Sequence, residues 1–412
     1  MSLGRMAVGF RNHILRRALP HGIISWRYLL PRPSQKVRIH RTLWLRGRHP
    51  DLQIPFFLIV EFLLWMRWVL FSCWRSSIRA VAHRGRAVAE QEGIGRVTQL
   101  GHLLRLGLCH CIPPGEAYAF RLYHREARRN FWDYVFIHEV KAFHRWRGAR
   151  SGETPASLAM LQDKFRLAEF LGARGVPMAT ALGTAPRGGV FDPTPYLQTR
   201  SRIFCKPNRG SAGRDAFVIK RRGVDIDIFA AKNGVMTKRS SLDCLKRAMA
   251  RDDFLIQPFL ENNPDFAGLC PTEDVVTLRV ITEIHPARGM ECYCATLEIP
   301  NLSNGALKGH IMLPIEVSSG RIASFPGRLP PEIQLNHDAV FDRIGNQTVP
   351  FWDSIMESAF RAHRCFPDIY AVAWDYVVTP AGPVMLEGNT GWGATTPQTM
   401  YRGLLRDETG TG

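Results

Sequence analysis

Residues 1–50 contain no aspartate or glutamate. The 35 glycines and 27 prolines follow no repeating triplet, which excludes a collagen-like or low-complexity chain. No segment recurs at a solenoid period. The nine cysteines do not make a zinc framework. Cys109-His110-Cys111 and Cys292-Tyr293-Cys294 have one-residue spacers, not the two to four of zinc knuckles, and no second matching pair follows. In a strand, Cys292 and Cys294 would share a face as small buried hydrophobes. Odd number, scattered spacing and the lack of a long apolar stretch before a cleavage site favour a reducing compartment.

The 412 residues suffice for two or three packed units at roughly 150 residues each. A 45% hydrophobic and 22% charged composition excludes wholesale disorder. The net charge of +18 is concentrated: residues 1–150 hold 26 Lys/Arg against 8 Asp/Glu, and the remainder holds 28 of each. Such a field attracts phosphate-bearing partners, nucleic acid or anionic lipid. Its plain alternative is a solvated basic surface.

Residues 54–74 read IPFFLIVEFLLWMRWVLFSCW, an apolar, aromatic run broken only by Glu61 and Arg67. Its length is borderline for a span, and each ionisable group would cost about 2.5–3.5 kcal/mol at the bilayer centre. Aromatics beside arginines suit a helix in the headgroup layer. A buried core helix and an interfacial helix rank equally, and a true span third. Lipid is thereby preferred over nucleic acid as the partner of this region, with the protein expected in the cytoplasm or peripheral on the inner membrane face.

Three segments follow from the chain's texture: a basic segment with an aromatic apolar helix over 1–77, a mainly helical region over 78–150, and an α+β catalytic domain over 151–412. The charged, glycine-bearing stretch 145–153 marks the last boundary. Pro155 opens a predicted helix to about residue 173, with Leu158, Leu161, Phe165, Ala168 and Leu171 on one face. Strands are predicted over 202–208, 216–220, 254–259, 277–284 and 291–299. A helix follows over 351–366, then two strands over 370–379 and 384–390 joined by the Pro380-Ala-Gly-Pro383 turn. Intermixed elements with hairpin-linked late strands indicate antiparallel sheets.

That last hairpin carries the first chemical signal. Centring its turn on Ala381 sets Asp375 opposite Glu387, with Asn389 on the same face because side chains alternate along a strand. Opposed Cβ atoms lie about 4.5–5.5 Å apart. Two carboxylates so placed repel, and Mg²⁺, which takes a few carboxylate or amide oxygens and shares the rest with water and phosphates, would resolve the conflict. Two solvated charges near a turn are the alternative.

The second signal is Phe204-Cys-Lys206-Pro-Asn-Arg209-Gly210-Ser211-Ala-Gly213-Arg214, a lysine ahead of a small-residue loop with basic flanks. Backbone N–H groups in such a loop approach polyphosphate closely, although the Walker order G-x-x-x-x-G-K-[ST] is absent. An ordinary turn is the competing explanation.

With Asp163-Lys164-Phe165 before Gly175-Val-Pro177, Leu255-Ile-Gln257-Pro-Phe-Leu260, Thr277-Leu-Arg279-Val and Trp374-Asp375…Leu386-Glu387-Gly-Asn389, these pieces stand in a specific order. From about 155 to 400 the chain resembles the ATP-grasp superfamily, in particular its sugar-transfer-associated, α-L-glutamate ligase-related branch. The resemblance implies two α+β subdomains with antiparallel sheets clasping ATP, here preceded by a mainly helical basic region. It implies ATP contacts from Lys164, Lys206, Arg209 and the loop Gly210, Ser211 and Gly213. Gln257, Pro258, Phe259 and Leu260 would form the adenine connector. Asp375, Glu387 and Asn389 would hold Mg²⁺, and Arg279, with Lys206, would face the transferred phosphoryl group. Glu261, Asp265, Glu273 and Asp274 are all in range of the ribose. Thr277 departs from relatives that carry an acid before the Arg279 position.

The resemblance implies an ATP-dependent carboxylate–amine ligase working through an acyl phosphate. Its co-substrates would belong to a surface glycan, a lipid-linked sugar or a small metabolite. Tyr118 and Tyr123 would line an acceptor pocket or pack in a core. His310, His337 and His363 are expected in structural roles. The alternatives are an ATP-grasp kinase acting on a hydroxyl, and a non-catalytic basic protein that binds membrane or nucleic acid. No feature fixes the oligomeric state.

Overall fold

Helices fill the front of the chain, and the remainder combines two antiparallel sheets with further helices, in the computed structural model of the protein. It describes residues 17–48, 53–189, 191–210, 215–223, 225–232, 235–239, 242–270, 274–303, 306–326, 329 and 331–408. The chain divides into two units, Met1–Arg150 with Pro326–Gln334 and Gly393–Gly412, and Ser151–Phe325 with Leu335–Trp392.

The first unit holds α1 (Gln35–Arg46), α2 (Ile54–Arg67), α3 (Cys73–Glu92), α4 (Arg96–His110) and most of α5 (Val140–Ser151). A π-helical turn, Trp68–Ser72, joins α2 to α3, so that one helix runs Ile54–Glu92 through residue 77. Its inward stripe includes Phe57, Val60, Leu64, Trp68, Cys73, Ser77 and Val81. The π turn adds one residue between Trp68 and Cys73 and so keeps the stripe in phase across the join. Glu61 lies on this stripe, where His21 Nδ1 meets its Oε1 at 2.5 Å and Trp44 Nε1 donates to its Oε2 at 2.5 Å. The acid that interrupts the apolar run is therefore an inward, partnered group. Tyr118 and Tyr123 are buried in this unit's core; Tyr118 Oη donates to Gln99 Oε1 at 2.6 Å.

The second unit contains two sheets. The first, ordered β1-β6-β2-β3-β4-β5, comprises β1 (Gly183–Ala185), β2 (Arg202–Pro207), β3 (Phe217–Arg222), β4 (Asp225–Lys232), β5 (Val235–Arg239) and β6 (Phe254–Pro258). The second, ordered β11-β10-β7-β8-β9, comprises β7 (Thr277–His285), β8 (Gly289–Ser303), β9 (Ala306–Pro314), β10 (Ala371–Thr379) and β11 (Gly382–Asn389). Every pairing within both sheets is antiparallel. β10 is buried along its whole length, and on one of its faces α9 (Trp352–Arg364), which follows α8 (Pro331–Ile344), sets Ile355, Ala359 and Ala362 into the core that holds Val372, Trp374 and Tyr376. His363 is structural, its Nδ1 2.7 Å from Thr282 Oγ1 and its Nε2 2.9 Å from the Ile369 carbonyl.

The helix predicted over 155–173 is two helices, α6 (Pro155–Gln162) and α7 (Lys164–Gly172). Asp163 breaks the run with an extended backbone and caps α7, accepting from the Arg166 N–H at 3.1 Å. The break starts α7 at Lys164. Strands β1, β4, β5 and β9 lie outside the ranges that the sequence predicts.

Candidate active site

The register of the second sheet builds a charged row. Glu387 on β11 pairs with Asp375 on β10, Asp375 with Arg279 on β7, and Arg279 with Thr296 on β8. Directly paired residues point to one face, so two carboxylates and a guanidinium stand side by side. The Asp375–Glu387 pairing matches the register predicted from the turn, but by a different route. The loop is the two residues Pro380-Ala381, which sets Thr379 opposite Gly382, and a bulge after Asp375 restores the predicted pairing. Gly388 lies opposite Trp374, and a Cβ there would come 2.6 Å from the indole, so a side chain between Glu387 and Asn389 would force the two apart from the sheet.

Arg279 grips Asp375 with a fork: Nε donates to Oδ1 at 2.7 Å and Nη2 to Oδ2 at 3.1 Å. Its Nη1 lies 3.1 Å from Glu298 Oε1. The Asn389 amide nitrogen donates to Asp375 Oδ2 at 3.2 Å and to Glu387 Oε1 at 3.1 Å. From outside the sheet Lys164 Nζ reaches Glu387 Oε2 at 3.3 Å and donates to the Gly210 carbonyl at 2.5 Å. Lys206, buried on β2, completes the group from the other sheet; burial pulls its ammonium down to about 8, against the opposing pull of Glu387.

Burial is the largest influence on each carboxyl here. It raises Asp375 despite Arg279, and it lifts Glu298 to about 7 against the same guanidinium. Glu387 is held below its ordinary value because Lys206 and Lys164 together outweigh its burial. Formally, Asp375, Glu387 and Glu298 are balanced by Arg279, Lys164 and Lys206. The repulsion that the sequence assigned to a divalent ion is thus already compensated by cations from β7, α7 and β2.

The elements that carry Lys164 and Lys206 are tied together by Asn208. Its Oδ1 accepts from the Phe165 N–H at 2.9 Å and its Nδ2 donates to Asp163 Oδ1 at 3.0 Å, so the end of β2 and the start of α7 are one piece. Arg209 is exposed, 3.6 Å from Asp163. Ser211 and Gly213 lie outside the described residues, as does Glu273. Gln257 uses its side chain to donate to the Ala179 carbonyl at 2.9 Å, and β6 ends at Pro258. Phe259 and Leu260 then lead toward the second sheet, where the Asn263 N–H donates to the Val378 carbonyl at 2.7 Å. Arg202 stacks over Phe259 at 4.2 Å and pairs with Glu261, which occupies that acid.

The donors at Asp375, Glu387 and Asn389 are hard oxygens on one face, the set Mg²⁺ takes. Asn389 bridges both carboxylates through its amide nitrogen, so the three side chains converge on one point, and such an ion fits there once the amide turns to present its oxygen. No group of three or more His, Cys, Asp and Glu suited to a metal occurs among the described residues. The fit therefore rests on two carboxylates and an amide. Sequence reasoning missed Glu298; its signal was the alternation Cys294, Thr296, Glu298 beside Arg279.

A family model described as "Sugar-transfer associated ATP-grasp" matches residues 150–410. No curated protein matches the chain. Among solved structures, it is similar to D-cycloserine synthetase DcsG at 14% identity, over 60% of this chain and 68% of that one, with a TM-score of 0.36. D-alanyl-alanine synthetase A from Vibrio cholerae O1 biovar eltor is 14% identical over 62% of each chain, with a TM-score of 0.35. VanG D-Ala:D-Ser ligase from Enterococcus faecalis is 16% identical over 60% of this chain and 58% of its own, with a TM-score of 0.34. The chain thus spans less than two thirds of the length of the last two, and likeness at these scores carries nothing about substrate.

Proposed function

The chain belongs to the sugar-transfer associated ATP-grasp family, and on that premise we propose that it is an ATP-dependent ligase joining a carboxylate to an amine through an acyl phosphate. The observation that carries this reading is the meeting of Lys164 and Lys206 with the row Glu387–Asp375–Arg279. Lysines from a helix and from one sheet face carboxylates of the other, which is the arrangement needed to hold a triphosphate and a divalent ion together.

Asp375, Glu387 and Asn389 would hold Mg²⁺, which supplies charge neutralisation on the phosphates when bound. ATP is the substrate that displaces the present pairing. As its phosphates enter, Lys164 exchanges the Glu387 carboxylate for phosphate oxygen, and Lys206 would engage phosphate oxygen in a buried setting where its charge acts strongly. The substrate carboxylate oxygen attacks the γ-phosphorus, the bond to the bridging oxygen breaks and ADP leaves. The amine nitrogen then attacks the acyl carbon, inorganic phosphate leaves, and the nitrogen gives up a proton. Arg279, whose Nε and Nη2 hold Asp375, would lend its positive charge to the transferred group's oxygens, where charge must be stabilised in phosphoryl transfer.

Hydroxylamine trapping tests the reading. With ATP, Mg²⁺ and a panel of carboxylic acids, an acyl phosphate yields a hydroxamate in step with ADP. A phosphorylated hydroxyl compound in place of any hydroxamate would identify a kinase and contradict the ligase.

A further inference from the structure

The helix Ile54–Glu92 is long and apolar enough to cross a membrane, yet only 28% of its most apolar window is buried inside the protein. Phe56, Ile59, Phe62, Leu70 and Phe71 are each at least half exposed. Further along, Trp74 and Ile78 are exposed beside Arg75 and Arg79, which are exposed as well. We propose that this outward face docks in the headgroup layer of an anionic bilayer, the helix lying along the surface and not crossing it. The proposal does not rest on the ligase reading.

The inward face argues against a span. Phe57, Val60, Leu64 and Trp68 are buried, and Trp68 Nε1 donates to the Gly107 carbonyl of α4 at 2.8 Å. That neighbour exposes Arg96 and Arg105, which could not follow the helix into hydrocarbon. Glu61 is locked to His21 and Trp44 on the same inward side. Only one side is left for lipid, and a one-sided apolar face with arginines at its edge is the pattern of an interfacial helix, seated about 5–10 Å deep.

Charge selects the occupant. All three acids of the helix are engaged within the protein: Glu61 with His21, Glu90 with Arg86, and Glu92 with Arg121 and His124. Arg75 and Arg79 thus project from a segment whose own negative charge is spent, in a region with 26 basic and 8 acidic residues. Anionic headgroups complement that field. A second copy of this chain would bring an equally basic face against it, with like charges opposed.

Flotation of the full-length protein tests this, using phosphatidylcholine vesicles with and without phosphatidylglycerol. Wild type is expected to float with the anionic vesicles, about tenfold less with neutral ones, and less in high salt. Phe62→Ser/Phe71→Ser, at exposed positions, should lose about tenfold in partitioning with an unchanged melting temperature. Arg75→Glu/Arg79→Glu should abolish the preference for anionic lipid. Wild type that stays with neither vesicle overturns the proposal, as does a serine variant that floats like wild type. A lipid-free dimer that the serine substitutions turn into monomers assigns the face to a second copy and overturns it too.

Discussion

Arg279 and Asp375 face each other across β7 and β10 and share two hydrogen bonds, at 2.7 and 3.1 Å. The fork fixes both oxygens of a buried carboxylate, so that its remaining lone pairs point along the row toward Glu387 and Asn389. This makes Arg279 a positioning group for Asp375 before any substrate arrives.

Removing one partner leaves the other buried and uncompensated. Arg279→Met should therefore destabilise the fold by about 3 kcal/mol, the low end for broken buried pairs because the guanidinium is partly exposed. Arg279→Met/Asp375→Asn should recover at least about 1 kcal/mol of that, since neither charge is then stranded. Urea denaturation of the four members of the cycle measures the coupling. Strictly additive losses would contradict the pairing.

On the proposed role of Lys206, nucleotide binding should depend on pH. Burial sets its ammonium at about 8, below the ordinary 10.5, although Glu387 pulls the other way. The nucleotide-free protein therefore loses this charge as pH rises through about 8, whereas a bound triphosphate favours keeping it. Affinity for ATP should fall above pH 8 by up to about tenfold per unit, with one proton taken up on binding. The same depressed value means that this group's contribution to stability is greatest above pH 10.5 and is lost as pH falls through 8. Isothermal titration in buffers of different ionisation enthalpy reads the proton, and Lys206→Arg should flatten the profile. A flat wild-type profile between pH 7 and 9.5 would contradict the assignment.

Asp163 starts α7 and, through Asn208, ties it to β2. Asp163→Ala should cost about 1 kcal/mol, as N-cap deletions do. Because Lys164 is the first residue of the helix so capped, KM for ATP should also rise severalfold while kcat changes less. Asp163→Asn, which keeps an accepting oxygen, should restore most of both. Thermal denaturation with steady-state kinetics separates these outcomes; a loss of stability with KM unchanged would leave the cap without a part in placing Lys164.

The sheet that holds the carboxylates was legible because its late hairpin is local: two apolar runs each broken by one acid, with a Pro-containing turn between them, fix their own register within about 20 residues. Even there the pairing depended on a bulge that alternation does not reveal. The compensation of Asp375 and Glu387 was not legible. It comes from Arg279, Lys164 and Lys206, residues up to 223 positions from Glu387, and only tertiary structure aligns them. Glu298 escaped for the same reason, since a register shift between Ile281 and Thr282 intervenes along the β7–β8 pair. The apolar spacing on both sides of Asp163 is helical and predicts one continuous helix. The capping aspartate was the available signal, outweighed by the periodicity. Lys164 was placed by family resemblance, and no spacing in the chain would have done so.

The central claim is that Glu387, with Asp375 and Asn389, acts on the phosphates that Lys164 and Lys206 hold. Glu387→Gln keeps the side chain's size and removes its charge. Measured as ADP release with ATP and Mg²⁺, under conditions where the wild type turns over, this variant should lose at least about 100-fold in rate with an unchanged circular dichroism spectrum. ADP release at the wild-type rate by a folded Glu387→Gln protein would contradict the account.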